Sequence, residues 1–532
     1  MGRGKAAVLS VVVLCAMSVG AVALESFDQP WRPQYHFTPV KNFMNDPNGM
    51  VFYKGEYHLF YQYNPQGQVW GHMSWGHSVS PDMVHWQHLA PAILEDPDYM
   101  IYSGAAVVDW NNSSGLCKNP DPKDQSCLIA IYAADYHQKR EKTHIAYSND
   151  RGRTWTNYAG NPVIDLDAED FRDPYVFWHE PQKKWVLVAV LADHRKTVFF
   201  SSADLKKWTK MSEFGPAGDD AGQWECPLLL ELPIEGTKDM RWVLVINRNP
   251  GAPAGGTGVR YLVGNFDGTQ FVEKESAGQE LWADYGKDFY ATNSFNDMPD
   301  KRRVWMGWTS NWLYAKDEPT VLWRGAQSIP KTLALRWVKS ATLSPRDGEK
   351  GVALSGGLTT SERQLLMVQA PVRELQGLRE KPLVVKNASI APANQKLPAV
   401  EGDTYEIEAE LEPDGASEIG LRLRKGQDVE TVVGIVPATN TLFVDRTKSG
   451  EVSFSKDFPG RFTTTLSNTK RVKLHIFVDR SSVEVFANAG EKVLTNRIYP
   501  PPGSTGIEVY GAGKVVSLTV WPLKSVWGAN KK

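Results

Sequence analysis

The chain has 532 residues, 42% of them hydrophobic and 23% charged, which is the composition of an ordinary soluble globular protein with room for two or more domains. A net charge of −2 gives no electrostatic reason to expect a nucleic acid or another polyanion as partner. The 19 Trp, 19 Tyr and 20 Phe suit an all-β protein or one that stacks sugar rings.

Residues 1–23 read as a secretory signal peptide. Arg3 and Lys5 form a basic start, an apolar run follows, and Ala21-Val22-Ala23 is a small-x-small cleavage signal. The apolar run is also nearly long enough for an uncleaved membrane anchor. The cleavage signal favours removal, so a secreted, extracytoplasmic protein with no membrane contact is expected. Cys117 and Cys127 flank the loop "CKNPDPKDQSC" and, in a secreted chain, are expected either to pair as a disulfide or to stay as free thiols. Cys226 has no partner and reads as a small buried apolar residue.

The mature chain shows little helical periodicity. "NFMNDPNGMVFYKGEYHLFYQYNP" begins with turn chemistry at Asn45-Asp46-Pro47-Asn48-Gly49, then reads as two short aromatic strands around Lys54-Gly55. A loose repeat follows. "SVSPDMVHWQHL", "AYSNDRGRTWTNY" and "FSSADLKKWTKM" each run from a strand ending in Ser, through an Asp turn, to an aromatic (Trp86, Trp155, Trp208). "VGNFDGTQFV", with Phe271, is a degenerate copy. Units starting near Asn45, Ser103, Arg172, Trp224 and Phe289 lie roughly 50–70 residues apart, the size of a four-stranded propeller blade. The expectation is an all-β chain: a five-bladed β-propeller over 30–340, a linker over 341–382 and a β-sandwich over 383–528. A helix is expected within Ser361 to Lys381. Alternating strands such as "TYEIEAELEP" and "RVKLHIFVDRSSVEVFANAG" supply the sandwich.

Acids stand at three unit starts: Asp46 in "NDPNG", Asp173 in "FRDP" and Glu225 in "WECP". The innermost strands of a propeller line its axis, so residues far apart in sequence can converge at one end of the channel. Asp46 and Asp173 precede a proline directly and Glu225 stands just before Cys226-Pro227, and these prolines restrict the backbone there. One Asp-Pro alone reads as a turn; three at matching places point to a shared pocket. Two carboxylates with aromatic walls are what glycosidic cleavage requires.

These blocks resemble family 32 of the glycoside hydrolases, the β-fructofuranosidases (invertases, levanases, exo-inulinases and fructan exohydrolases). "MNDPNG", "FRDP" and "WECP" occur in the family's order, and "FYQYNPQGQVWGHMSWGHSVS", "YSGAAVVDW" and "LHIFVDRSSVEVF" support them. The resemblance spans about Tyr35 to Trp521. It implies a five-bladed propeller with a C-terminal sandwich, Asp46 as nucleophile, Glu225 as general acid/base and Asp173 as transition-state stabiliser. Asp46, facing donors in its turn, is expected to stay ionised. Asn45, Gln62, Trp70, Tyr102, Ser103 and Arg172 match substrate-binding positions. Either Trp308 or Trp312 is expected to supply an aromatic wall. Phe43, where the family usually has Trp, and Ala105, where Ser is common, depart from the pattern without touching the acids.

The expected function is a retaining exo-β-fructosidase acting on fructans such as levan and inulin and on sucrose, through a covalent fructosyl-enzyme intermediate. A dedicated invertase, a fructosyltransferase and a non-catalytic fructan-binding lectin are the alternatives. Fructan or sucrose is the expected partner, with no cofactor and no metal. His72 and His77 lack further ligand spacing and read as hydrogen-bonding or core residues. Asp445 and Asp479, each in "FVDR", read as structural. The preferred linkage and the oligomeric state are left open.

Overall fold

The computed structural model describes residues 27–118, 123–136, 140–339, 363–390, 395–396, 402–415 and 417–528. The expected signal peptide and residues 340–362 lie outside these. The chain folds as a β-propeller followed by a β-sandwich. Successive antiparallel sheets begin with the strands Asn42–Tyr53, Met100–Asp109, Phe171–His179, Gln223–Pro233 and Tyr290–Ser294. Each of these strands packs beside the next, and Tyr290–Ser294 packs back on Asn42–Tyr53, so they form a closed ring. Trp323–Arg324 pairs in parallel with Asn42–Phe43 and fastens the end of the ring to its beginning. Among the described residues no helix is long and apolar enough to cross a membrane.

The repeat seen in the sequence has a physical basis. Ser80, Ser148 and Ser202 end the third strands of the first three sheets. Each hydroxyl donates to the aspartate two residues on, at 3.0 Å for Asp82, 2.8 Å for Asp150 and 3.1 Å for Asp204. That carboxylate accepts the next backbone N–H groups, such as Val84 and His85 on Asp82. The turn delivers the chain to the short outer strand, an Asx turn reused sheet after sheet.

Two local expectations are corrected. "NDPNG" is not a free turn but part of the strand Asn42–Tyr53, which absorbs its turn residues as bulges opposite Glu56–Asn64. The Lys54-Gly55 turn is where it was expected, with both residues at positive φ. The first part of the helix expected within Ser361 to Lys381 is instead the strand Arg363–Pro371, paired along its whole length with Lys331–Lys339. A run of adjacent apolar residues suits a helix or a strand covered on both faces. Here Leu365, Leu366 and Met367 are buried against the fourth sheet, and the Met367 N–H donates to the Tyr261 hydroxyl at 3.0 Å. Only Arg373–Leu378 is helical, as a short 3-10 segment. The last propeller sheet therefore extends past 340 to Pro371.

The sandwich stacks two six-stranded sheets over an aliphatic core that includes Ile407, Leu421, Val433, Leu474 and Val485. A buried set of charges joins it to the propeller. Asp479, as expected, is structural. It accepts the N–H groups of Gln34 (2.8 Å) and Tyr35 (3.1 Å) and lies 2.8 Å from His36 Nδ1. His36 Nε2 lies 3.0 Å from Glu484, which also pairs with Lys331 at 2.8 Å. Burial alone would lower the His36 pKa, but the two carboxylates raise it overall. Burial would raise that of Glu484, but Lys331 and His36 bring it down to about 2.

A depressed carboxylate stabilises the fold above its ordinary pKa and loses that contribution as pH falls through its folded value. The Glu484 contribution is therefore lost between pH 4.5 and about 2. Glu484→Gln leaves Lys331 and His36 without this counter-charge, and removing one member of a buried pair costs about 3–5 kcal/mol. The variant is expected to melt several degrees below the parent near neutral pH and to lose less on acidification to about pH 2. Thermal melts across that range check this; equal melting temperatures near neutrality would contradict it.

Candidate active site

One recurring irregularity builds the site. In each innermost strand two residues face a single residue of the neighbouring strand. The pairs are Asn45-Asp46 opposite Gln62, Tyr102-Ser103 opposite Ala133, Asp173-Pro174 opposite Ala189, Cys226-Pro227 opposite Ile246, and Ala291-Thr292 opposite Gly307. These are β-bulges, which re-aim side chains and interrupt pairing. Proline tolerates such positions because its missing N–H is not needed in the ladder. Asp173, Cys226 and Ala291 adopt positive φ there (57°, 42° and 50°), a backbone that residues with a Cβ rarely take.

The bulges sit at one end of the ring and open on a cavity of about 610 Å³. Asp46, Asp173 and Glu225 all line it, with Asn45, Gln62, Trp70, Tyr102, Ser103, Arg172 and Trp312. The Asp46 carboxylate accepts hydrogen bonds from Ser103 Oγ (2.7 Å) and Asn45 Nδ2 (2.8 Å). Asp173 accepts the Cys226 N–H at 2.9 Å. The Cys226 sulfur lies 3.6 Å from Asp46 and 3.7 Å from Asp173, so both aspartates meet at one atom. Cys226 is thus a partly exposed wall residue of the cavity rather than a core residue. Arg172 Nη2 donates to Glu225 Oε1 at 3.1 Å, its Nε lies 3.8 Å from Asp173, and the Tyr290 hydroxyl donates to the other oxygen of Glu225.

Trp308 does not line the cavity. It is fully buried behind Trp312, with ring centres 4.8 Å apart, and also contacts Phe43. Trp312 is the ring at the cavity wall, and Trp308 and Phe43 support it. Cys117 and Cys127 form a disulfide with Cα atoms 5.2 Å apart. His77 is a core residue stacked 4.1 Å from Phe60, and His72 is paired with Glu95 at 2.8 Å.

The N-terminal domain of the glycosyl hydrolases family 32 matches residues 36–345, and the C-terminal domain of the same family matches residues 374–522. The chain belongs to glycosyl hydrolase family 32. Over 98% of its length it is 46% identical to a levanase of Bacillus subtilis, of which it covers 74%. Over the same share it is 36% identical to an extracellular exo-inulinase of Aspergillus niger, covering 100% of that protein. A crystal structure of exo-inulinase from Aspergillus awamori matches with a TM-score of 0.83 at 35% identity, over 94% of this chain and 100% of that one. A fructofuranosidase of Schwanniomyces occidentalis complexed with fructose matches with a TM-score of 0.82 at 30% identity, over 95% of this chain and 100% of that one.

The cavity of this family 32 chain also holds residues that the sequence motifs did not single out: Met100, Asp135, Glu141, Asp170, Gln223, Asn249, Tyr290 and Lys316. Gln223 lies two residues before Glu225, hence on the same face of its strand, and strand alternation could have found it. Tyr290 follows Phe289, the expected start of the last repeat unit. Asp135 and Glu141 come from the facing ends of the second and third strands of the second sheet, and no motif marks them.

Carboxylates outnumber cations here. Asp46 opens on the cavity but is otherwise enclosed by protein. That desolvation, with the charges of Asp173 and Glu225, outweighs the bonds from Ser103 and Asn45 and raises its pKa from 3.8 to about 7. Asp46 thus has the expected donors, yet it keeps a proton to higher pH than expected. Burial and Glu225 likewise raise Asp173, against the pull of Arg172, to about 6. Burial would lower the Arg172 pKa, but four surrounding carboxylates raise it well above its ordinary value, so it is a permanent cation. Burial and the charge of Glu225 push Tyr290 far up, so it stays a neutral donor.

An acid whose pKa is raised by folding weighs against the folded state increasingly as pH climbs from its unfolded to its folded value. For Asp46 that window runs from 3.8 to about 7. Asp46→Asn is therefore expected to melt a few degrees above the parent at about pH 8, with the gap closing towards about pH 4. Melting curves across this range test it; a gap independent of pH would contradict the proton held on Asp46.

Proposed function

We propose that the protein is a secreted exo-β-fructosidase that releases terminal fructose from fructans such as levan and inulin, and from sucrose, with retention of configuration. The observation that carries this reading is the meeting of Asp46, Asp173 and Glu225 in one enclosed cavity of a family 32 propeller. The levanase and exo-inulinase relatives, which the chain matches over nearly its whole length, support the substrate class. The signal-peptide pattern of residues 1–23 and the extracellular exo-inulinase relative support secretion.

In this mechanism Asp46, ionised once substrate is bound, attacks the anomeric carbon of the terminal fructosyl unit. Ser103 and Asn45 hold its oxygens in line. The bond to the leaving oxygen breaks as Glu225 delivers its proton to that oxygen. Arg172 and Tyr290 orient the Glu225 carboxyl and position it for the return step. There Glu225 takes a proton from water, the hydroxide adds to the anomeric carbon, and Asp46 leaves. Two displacements retain configuration. Asp173, fixed by the Cys226 N–H, binds sugar hydroxyls as charge develops on the ring. Trp312 and Trp70 provide apolar walls, and a cavity at one end of the ring suits a chain end rather than a mid-chain unit.

Asp46→Asn keeps the shape of the side chain and removes the attacking charge. Sucrose hydrolysis should fall by roughly 10³-fold or more in a protein that still melts cooperatively. Turnover near that of the parent would refute the nucleophile assignment.

Glu225→Gln should slow substrates with poor leaving groups most. An activated aryl fructoside should suffer less in the first step, and azide should partly restore turnover because it needs no general base. Equal losses on both substrates, with no response to azide, would assign Glu225 another role.

Chromatography of early products from levan, inulin and sucrose tests the exo reading. Free fructose as nearly the only early product is expected from all three. A ladder of fructo-oligosaccharides would mean internal cleavage, and cleavage of sucrose alone would make the protein an invertase.

A further inference from the structure

We propose that Glu141 is an additional substrate-binding residue, whose Oε1, beside Arg172, accepts a hydroxyl of the terminal fructosyl unit; this rests on the exo-β-fructosidase reading above. Glu141 opens the strand Glu141–Ser148 of the second sheet, paired across its hairpin with Asp135. Both side chains line the catalytic cavity while being only 4% and 5% exposed. Arg172 lies between Glu141 and Glu225. Its Nη1 is 3.6 Å from Glu141 Oε1, and its Nη2 is 3.1 Å from Glu225 Oε1. A sugar bound along this guanidinium edge would reach both carboxyl groups.

Three acids form this part of the wall, and two are already engaged. Asp170 takes a 2.8 Å bond from Arg172, and Asp135 is hydrogen-bonded to the Tyr102 hydroxyl. Glu141 Oε2 is buried with no hydrogen-bond partner among the described residues. With Oε2 closed off, the carboxyl depends on Oε1 for partners, and Oε1 lies 3.6 Å from Arg172, too far for a good hydrogen bond. A donor arriving with the substrate supplies one there. The guanidinium close to that oxygen disfavours a metal cation, while a neutral hydroxyl meets no such repulsion. Burial raises the pKa of Glu141 to about 7 against the pull of Arg172, so near neutrality the group exists in both forms. A hydroxyl, both donor and acceptor, suits either.

Steady-state kinetics on sucrose, together with binding of free fructose followed by thermal shift, test the proposal on the parent and on Glu141→Leu, Glu141→Gln and Glu141→Asp. Glu141→Leu removes the acceptor. It should raise KM and weaken fructose binding by about tenfold, with kcat within about threefold of the parent. Glu141→Gln keeps an acceptor oxygen and should change both by no more than about threefold. A residue that only positions Arg172 would give a different pattern: kcat falling at unchanged KM, equally in Leu and Gln. That pattern overturns the proposal, as does unchanged KM and fructose binding in every variant. Should Glu141→Leu not fold, Glu141→Asp decides the matter. It keeps the charge but withdraws the oxygen by one methylene; weaker fructose binding upholds the proposal and parental binding overturns it. A parent that releases no fructose from sucrose would refute the functional reading, and Glu141 is then judged on fructose binding alone.

Discussion

The site depends on one backbone device, an extra residue inserted at the same level of each innermost strand. A regular strand sends alternate side chains to opposite faces and would turn some of these residues away from the axis. The bulge breaks that alternation locally and re-aims the side chains at the end of the ring. It also explains the prolines, which sit where the ladder has already been interrupted. Sparsely populated conformations at Asp173 and Cys226 carry a cost, which the long ladders on either side can sustain.

From that placement the electrostatics follow. Asp46, Asp173, Glu225, Glu141 and Asp170 are brought close, and Arg172 is the cation set among the last four. Arg172 does not cancel the charge around it. Protons remain on part of the cluster, and the distribution changes with pH and with the arrival of a substrate that displaces water. A carboxylate desolvated in this way has a high-energy anion, more reactive than one fully solvated. The Ser103 and Asn45 bonds keep that anion aimed.

Much of this was legible in the sequence because the informative residues are short-range. The three acidic blocks, the Ser-Asp-aromatic turns and the Lys54-Gly55 hairpin each carry their chemistry within a few positions. What failed depended on partners outside the segment itself. "NDPNG" has the composition of a turn, and only the facing strand shows that it is absorbed as a bulge. "RQLLMVQAP" has apolar residues that fit a helix, and only burial on both faces makes it a strand. Trp308 and Trp312 are indistinguishable by type, and a single layer of packing separates the wall from its support. Asp135 and Glu141 lie on the second and third strands of their sheet, which no repeat arithmetic directs to the axis.

The His36–Asp479 contact closes a span of 443 residues. At about 5–20 residues per second, a ribosome needs on the order of 20–90 seconds to supply the second partner after the first. For all that time the N-terminal segment lacks the group that pins it, and the ring whose first strand it precedes has no fastening until Trp323–Arg324 is made. Asp46, on that first strand, is thus made early and enclosed late, once the ring around it is fastened.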